Sequence, residues 1–370
     1  MPFQLARRTA EHTYNQPVAD LSFIGMTCFG SAEMKNKSLV IWLFLCCTLV
    51  FAMATIGAVT RLTESGLSIT EWHPVSGALP PLNAAQWQHE FDLYKRSPEF
   101  QAKHFWMSLS DFKHIFFWEW LHRLVGRSVG IAFAVPLLYF WRAKRIPRGY
   151  GPRLLLILGL GFLQGFVGWF MVESGLVNRP SVSHFRLATH LCLALVIYSA
   201  MFWTALDLLS SPDHQLSREN RKWIKIHGLL ALLLLATTIV WGAFTAGLHA
   251  GLEYNTFPGM DGHWMPDEPF SLRALATIPG WVQFTHRYLA QTTGLVILLY
   301  AVRLRNWPLG LMVLVQIGLG ISTLLSQVWM PLAAIHQAGA IVLLSLLLVS
   351  LQRECGRPSD ELHLISDVSL

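Results

Sequence analysis

The chain has 370 residues, 53% apolar and only 14% charged, with a mean hydropathy of +0.42 and 15 tryptophans, a balance that excludes an ordinary soluble globular domain. Its net charge of +6 does not mark a nucleic-acid partner, because Lys and Arg fall in short clusters between apolar runs and form no continuous basic face. Of the five cysteines, Cys28, Cys46, Cys47, Cys192 and Cys355, no pair has metal-ligand spacing and none falls in an outward loop on the topology below, so neither a zinc site nor a disulfide framework is expected.

Residues 1–37 form a polar leader with Arg7, Arg8, Asp20 and Glu33, unlike a cleaved secretory signal. Met34-Lys-Asn-Lys37, directly before an apolar run, reads as a natural translation start. A bilayer core of roughly 30 Å needs about 20 mainly apolar residues per helix, and eight stretches qualify: 38–60, 115–141, 154–173, 187–209, 226–248, 282–302, 307–326 and 333–351. None alternates as a barrel strand does, so closed helices are expected. The expected fold is an all-α polytopic membrane protein of eight transmembrane helices. It divides into a four-helix half at 38–209 with a long loop at 61–113, a linker at 210–225, a second half at 226–351 with a loop at 249–281, and a tail at 352–370.

Orientation follows from the bases between spans. Arg7, Arg8, Lys35, Lys37, Arg142, Lys144, Arg145, Arg148, Arg153, Arg218, Arg221, Lys222, Lys225, Arg303, Arg305, Arg353 and Arg357 share one side, 17 of 28, while loop 249–281 has one base against four acids. Both termini are therefore expected in the cytoplasm, with loops 61–113 and 249–281 outside. Gly57-Ala-Val-Thr-Arg-Leu-Thr-Glu-Ser-Gly-Leu67 and Gly242-Ala-Phe-Thr-Ala-Gly-Leu-His-Ala-Gly-Leu252 match at five positions without a gap. Each closes an odd span, which points to tandem duplication and two halves related by a pseudo-two-fold along the membrane normal.

Four histidines, His122, His190, His286 and His336, fall one in each even span, each within about two turns of its outer end. A lone helical histidine is more often a packing residue than a ligand. Four at matched depth, two per half, instead suit axial ligation of one haem iron in each four-helix bundle. Arg123 and Arg287 follow two of the histidines and Arg127 lies one turn on. Their alternatives are charge-assisted contact with haem propionates or snorkelling to headgroups, and Arg61 has the same two. Trp118, Trp120 and Trp281 read as interfacial belt residues. Three residues before the leading histidines stand Glu119 and Gln283, on the same helical face as the imidazole. Glu119 is then the acid–base group of the first half unless it merely pairs with Arg123 at i, i+4. The asymmetry points to a substrate haem in the first half and a resident, electron-transferring haem in the second.

At this point the chain resembles haem A synthase of the proteobacterial and mitochondrial type, over about residues 38–352. The resemblance is carried by Gly57–Ser68, by Trp118-Glu-Trp-Leu-His-Arg-Leu-Val-Gly-Arg127 and by Phe185-Arg-Leu-Ala-Thr-His190. Gly242–Leu252 with Tyr254-Asn-Thr-Phe-Pro258, Gln283-Phe-Thr-His-Arg287 and Ala334-Ile-His-Gln337 complete it. It implies that a ring methyl of haem O is hydroxylated twice and that the geminal diol loses water to give the formyl group of haem A, for cytochrome oxidase assembly. Position by position it makes His122 and His190 the substrate-haem ligands, Glu119 the catalytic glutamate, and His286 and His336 the axial ligands of a haem b cofactor.

The implied partners are haem O, a haem O synthase, cytochrome oxidase assembly factors, an unidentified electron donor and the bilayer, with no nucleic acid and with a homo-oligomer left open. The implied compartment is a bacterial inner membrane rather than a mitochondrial one, since the leader is not transit-like. Two departures stand out: the loop cysteine pairs of another branch are missing, and His249 occupies a position more often Asp, which could bring another histidine near haem b. The competing readings are a bis-histidine haem b electron carrier without haem-modifying chemistry, and a transporter, whose polar residues should cluster at mid-bilayer instead.

Overall fold

The computed structural model describes residues 37–73, 76–177, 180–209 and 218–355. The Met34 start, most of the leader and tail, and the linker up to residue 217 lie outside the described residues. Ten α-helices follow: α1 Lys37–Leu62, α2 Ala84–Tyr94, α3 Leu109–Arg142, α4 Gly151–Leu176, α5 His184–Leu209, α6 Arg218–Gly247, α7 Ala274–Thr277, α8 Pro279–Arg303, α9 Trp307–Leu325 and α10 Met330–Cys355. Among the described residues there is no strand, only an isolated bridge between Met260 and His263.

Seven of these helices, α1, α3, α4, α5, α6, α9 and α10, are long and apolar enough to cross a membrane, so the chain is an all-helical polytopic membrane protein. All eight expected spans form as helices, but α8 does not join the seven on hydropathy. Its 25 residues include Gln283, Thr285, His286, Arg287, Gln291, Thr292 and Thr293, and these polar groups dilute an otherwise apolar helix. Prolines at the first or second position start α4, α8 and α9, where a missing N–H costs nothing.

The α3 helix begins at Leu109, six residues before the expected span. A capping box of Ser108 and Asp111 satisfies its first N–H groups. The added residues bring Phe112 beside Ile115 and Phe116, all buried with Phe91 and Tyr94 of α2 and with Met107. His122 consequently lies more than two turns from the start of its helix, whereas His190, His286 and His336 lie within two turns of theirs.

In the first half α1 packs on α3 and α5, and α4 on α5; in the second α6 packs on α8 and α10, and α9 on α10. The halves meet through α1 with α10, α5 with α6, and α5 with α10. Cross-half bonds include Gln337 Nε2 donating to Ala54 O at 2.7 Å and the Tyr198 and Ser345 hydroxyls at 2.7 Å. The main apolar core, with Leu43, Cys46, Met201, Ile297, Tyr300 and Leu347, occupies the bundle end away from the histidines. At the histidine level the filling changes: every residue from Phe51 to Gly57 on α1 and from Leu121 to Arg127 on α3 is only half-buried.

Candidate functional site

Each of the four histidines rests against a glycine of a neighbouring helix. A Cβ at Gly168 of α4 would stand 2.9 Å from His190 Cε1, one at Gly242 of α6 3.1 Å from His286 Cε1, and one at Gly320 of α9 3.0 Å from His336 Cε1. At Gly57 of α1 the nearest atom is His122 Nε2, at 3.2 Å. A half-turn of that ring about Cβ–Cγ would present the same edge as the other three. Only glycine lets the helix backbone approach an imidazole so closely. Gly57 and Gly242 open the repeated passage, which gives no hint of this role, and Gly168 and Gly320 lie outside it.

The histidines pair by half. His122 lies within electrostatic reach of His190, and His286 of His336. His286 Nδ1 is 3.2 Å from Thr238 O, an acceptor that fixes the proton on Nδ1 and leaves Nε2 for a metal. His190 and His336 each meet a glutamine one turn before the cradle glycine. Gln164 Nε2 lies 3.2 Å from His190 Nδ1 and donates to His190 O at 3.0 Å; Gln316 Nε2 lies 3.2 Å from His336 Nδ1 and donates to His336 O at 2.9 Å. Gln-Gly-Phe-Val-Gly168 and Gln-Ile-Gly-Leu-Gly320 are thus a second copy of the repeat signal.

Glu119 is buried, 2% exposed, as is its counterpart Gln283. The ion pair allowed by i, i+4 spacing is present, Arg123 Nη2 donating to Glu119 Oε1 at 2.7 Å. Ser68 Oγ at 2.7 Å and Ile69 N at 2.8 Å donate to Oε2. An ionised carboxylate offers about four acceptor sites, so these three donors fix Glu119 and leave one position, on Oε1. Gln283 Nε2 instead donates to Tyr254 O at 3.1 Å, and its Oε1 is buried without a partner.

The arginines hold loop backbone. Arg123 donates to Ile69 O and Glu71 O, Arg127 to His73 O, and Arg287 to Tyr254, Thr256 and Gly259 carbonyls, its Nε remaining buried and unpartnered. Trp281 is buried, contrary to a belt position, because its indole N–H reaches Glu268 O at 2.9 Å.

Arg61 bridges the halves. It donates to Ala246 O at 2.8 Å, to Gly247 O at 3.3 Å and to His249 Nε2 at 2.8 Å, so it caps the exposed carbonyls ending α6. Accepting from a guanidinium keeps His249 neutral, and burial followed by the Arg61 charge lowers its pKa. Glu64 Oε1 lies 3.4 Å from His249 Nε2, and Oε2 lies 3.4 Å from His104 Nε2. In the repeat Arg61 matches Ala246 and Glu64 matches His249, and Glu64 and His249 both adopt positive φ, 51° and 53°. Replacing Arg61 by Leu is expected to lower stability by about 1–3 kcal/mol through unsatisfied carbonyls, read as thermal unfolding in detergent, while His249→Asp, which keeps an acceptor, stays near wild type. An unchanged Arg61→Leu melt would contradict this bridge.

Beside this cluster Tyr94 Oη bonds His104 Nδ1 at 2.7 Å and donates to Glu99 Oε2 at 3.1 Å. Burial pushes the Glu99 carboxyl up to about 8, against the lowering effect of the Tyr94 bond. The folded loop therefore binds this proton more tightly than the unfolded chain. That contribution is complete below the ordinary carboxyl range and is lost as pH rises through about 8. Limited proteolysis of the 76–108 region is expected to quicken as pH rises from about 5 to about 8 and to level off above it, and Glu99→Gln to flatten the dependence; a flat wild-type profile would contradict it.

The donor set suits a haem in each half: paired imidazoles, and glycine cradles that a Cβ would crowd. The cytochrome oxidase assembly protein family COX15-CtaA matches residues 40–348. The chain is 50% identical over 331 residues to heme A synthase of Rhodospirillum centenum, covering 85% of this chain and 88% of that one. It is 46% identical over 328 residues to that of Nitrosospira multiformis, covering 83% and 91%. With the heme A synthase of Paramagnetospirillum magneticum the identity is 42% over 352 residues, covering 89% and 98%. With glycine-cradled histidines inside a match that spans almost all of its helices, this chain belongs to the COX15-CtaA family of cytochrome oxidase assembly proteins.

Proposed function

We propose that the chain is a haem A synthase that oxidises a ring methyl of haem O to the formyl group of haem A. The observation that carries this reading is the pinned carboxylate of Glu119 one turn before His122, where the other half has Gln283. The first half, with His122 and His190, takes haem O as substrate. The second, with His286 and His336, holds haem b, which supplies an electron relay. Each hydroxylation with water as the oxygen source removes two electrons and two protons in total from the methyl carbon and the water, so the electron pair must leave by way of the second haem to an external acceptor. Glu119 accepts a proton and orients water through its remaining Oε1 position, while Arg123, Ser68 and Ile69 N keep it from turning away. Arg287 Nε, buried without a partner, supplies a donor for a carboxylate at the second haem, Arg123 and Arg127 steady the loop over the first, and Arg61 ties the first half to the end of α6.

A packing difference supports this division of labour. Gly130 and Gly294 each lie eight residues after the leading histidine. A Cβ at Gly294 would meet Ile317 of α9 at 2.9 Å, whereas at Gly130 nothing lies within 4 Å. A sealed α8–α9 seam suits a permanent occupant, and an open face on α3 suits one that comes and goes.

In this reading α8 completes the eight spans as the sixth in chain order, both termini are cytoplasmic in a bacterial inner membrane, and the halves are related by a pseudo-two-fold axis. The meeting of the repeat counterparts Glu64 and His249 supports that axis. Haem O synthase, cytochrome oxidase assembly factors and an acceptor for the electron pairs removed from the methyl are its partners, in place of the electron donor expected from the resemblance. The test is pigment extraction after co-expression with a haem O synthase: haem A or its hydroxylated precursor is expected, and haem b alone would favour a plain electron carrier.

A further inference from the structure

The glutamines Gln164 and Gln316 have no part in the proposed chemistry, yet they recur at the same place in both halves. Each sits on the helix facing a trailing histidine, one turn before the cradle glycine. Gln316 Nε2 divides its N–H groups between the carbonyl and Nδ1 of His336, and Gln164 Nε2 lies against the carbonyl of His190 and both of its ring nitrogens, Nδ1 at 3.2 Å and Nε2 at 3.4 Å. Each keeps its Oε1 buried with no hydrogen-bond partner. A buried carbonyl oxygen without a donor is costly, and two in equivalent places call for a common cause.

As placed, the glutamine N–H donates to Nδ1, so the imidazole proton sits on Nε2. An imidazole that binds iron through Nε2 must carry its proton on Nδ1, and then two N–H groups would face each other. A part-turn of the glutamine side chain removes the clash: it releases the amide from the histidine's own carbonyl and brings the unpartnered Oε1 to Nδ1–H, one hydrogen bond replacing the other. His286 needs no such partner, since Thr238 O already stands 3.2 Å from its Nδ1. The trailing histidines have an amide where the leading histidine of the second half has a fixed carbonyl.

We propose that Gln316 and Gln164 are positioning residues that act through His336 and His190. The amide holds the free imidazole by donation, and after iron binds it accepts the Nδ1 proton. Accepting that proton makes the ligand a stronger donor to iron and favours the ferric state. Gln316 thereby sets the reduction potential of the resident haem, and Gln164 steadies substrate haem in the other half. The proposal rests on the bis-histidine reading of the site.

The experiment is redox titration of the reduced haem band in purified full-length protein, wild type against Gln316→Leu, Gln316→Met and Gln316→Glu. The Leu and Met variants are expected to bind haem b about 10–100-fold more weakly and to titrate at a more positive potential. Gln316→Glu, which keeps an acceptor, should retain haem and titrate at a more negative one. Gln164→Leu should leave the haem b titration at the wild-type value and reduce retention of added haem O. A purely structural role would move Leu and Met without the opposite shift in Glu. Wild-type affinity and potential in both Leu and Met would overturn the proposal. If the bis-histidine reading itself is wrong, wild type lacks the haem b band or His336→Ala retains it, an outcome distinct from any behaviour of the glutamine variants.

Discussion

Glu119→Gln is expected to leave haem in both halves and to reduce formation of hydroxylated and formylated product by about 10²–10⁴-fold, the range for a positioned acid–base group. Glutamine keeps the shape of the side chain and an acceptor oxygen for Ser68 Oγ and Ile69 N, whose bonds to Glu119 are 2.7 and 2.8 Å. What disappears is the ability to take a proton. Arg123 loses its carboxylate but keeps Ile69 O and Glu71 O, so the loop over the site stays tied down. Haem content by absorbance and product by pigment chromatography separate binding from chemistry. Full product yield would remove Glu119 from its assigned role.

The second large effect comes from filling the glycine cradles. Gly320→Leu is expected to abolish the resident haem signal, because even a Cβ there would stand 3.0 Å from His336 Cε1 and the rest of the side chain would displace the ring. Gly168→Leu, with a Cβ position 2.9 Å from His190 Cε1, should keep the resident signal and abolish haem A production. Overpacking of this kind costs about 1–3 kcal/mol, so folding is checked by size-exclusion chromatography. Loss of both haems in either variant, with folding retained, would contradict independent sites.

The spans were legible because lipid imposes a length and hydropathy on every crossing, and α8 was found from its pattern although its polar groups weaken the signal. The early start of α3 was missed, because the span was drawn from hydropathy while the capping box Ser108 and Asp111 lies in the polar loop. Glu119, His122, His190, His286 and His336 stood out as polar groups in apolar segments. Their surroundings did not: nothing in Arg123, Arg127 or Arg287 as letters says that each will hold loop carbonyls. Backbone acceptors have no sequence signature. Nor does Arg61 disclose that it caps a helix in the other half, although its repeat counterpart Ala246 supplies the carbonyl. The glutamine and glycine of Gln164–Gly168 and Gln316–Gly320 were readable as a repeat, but they lie on the odd spans, where no histidine drew attention to them.

Haem chemistry in this fold requires two imidazoles to hold one iron in each half. Electron paramagnetic resonance of the ferric protein loaded with haem O tests this most directly. Low-spin bis-imidazole signals are expected from two haems, one lost in His336→Ala and the other in His190→Ala. A single signal that both substitutions leave intact would contradict it.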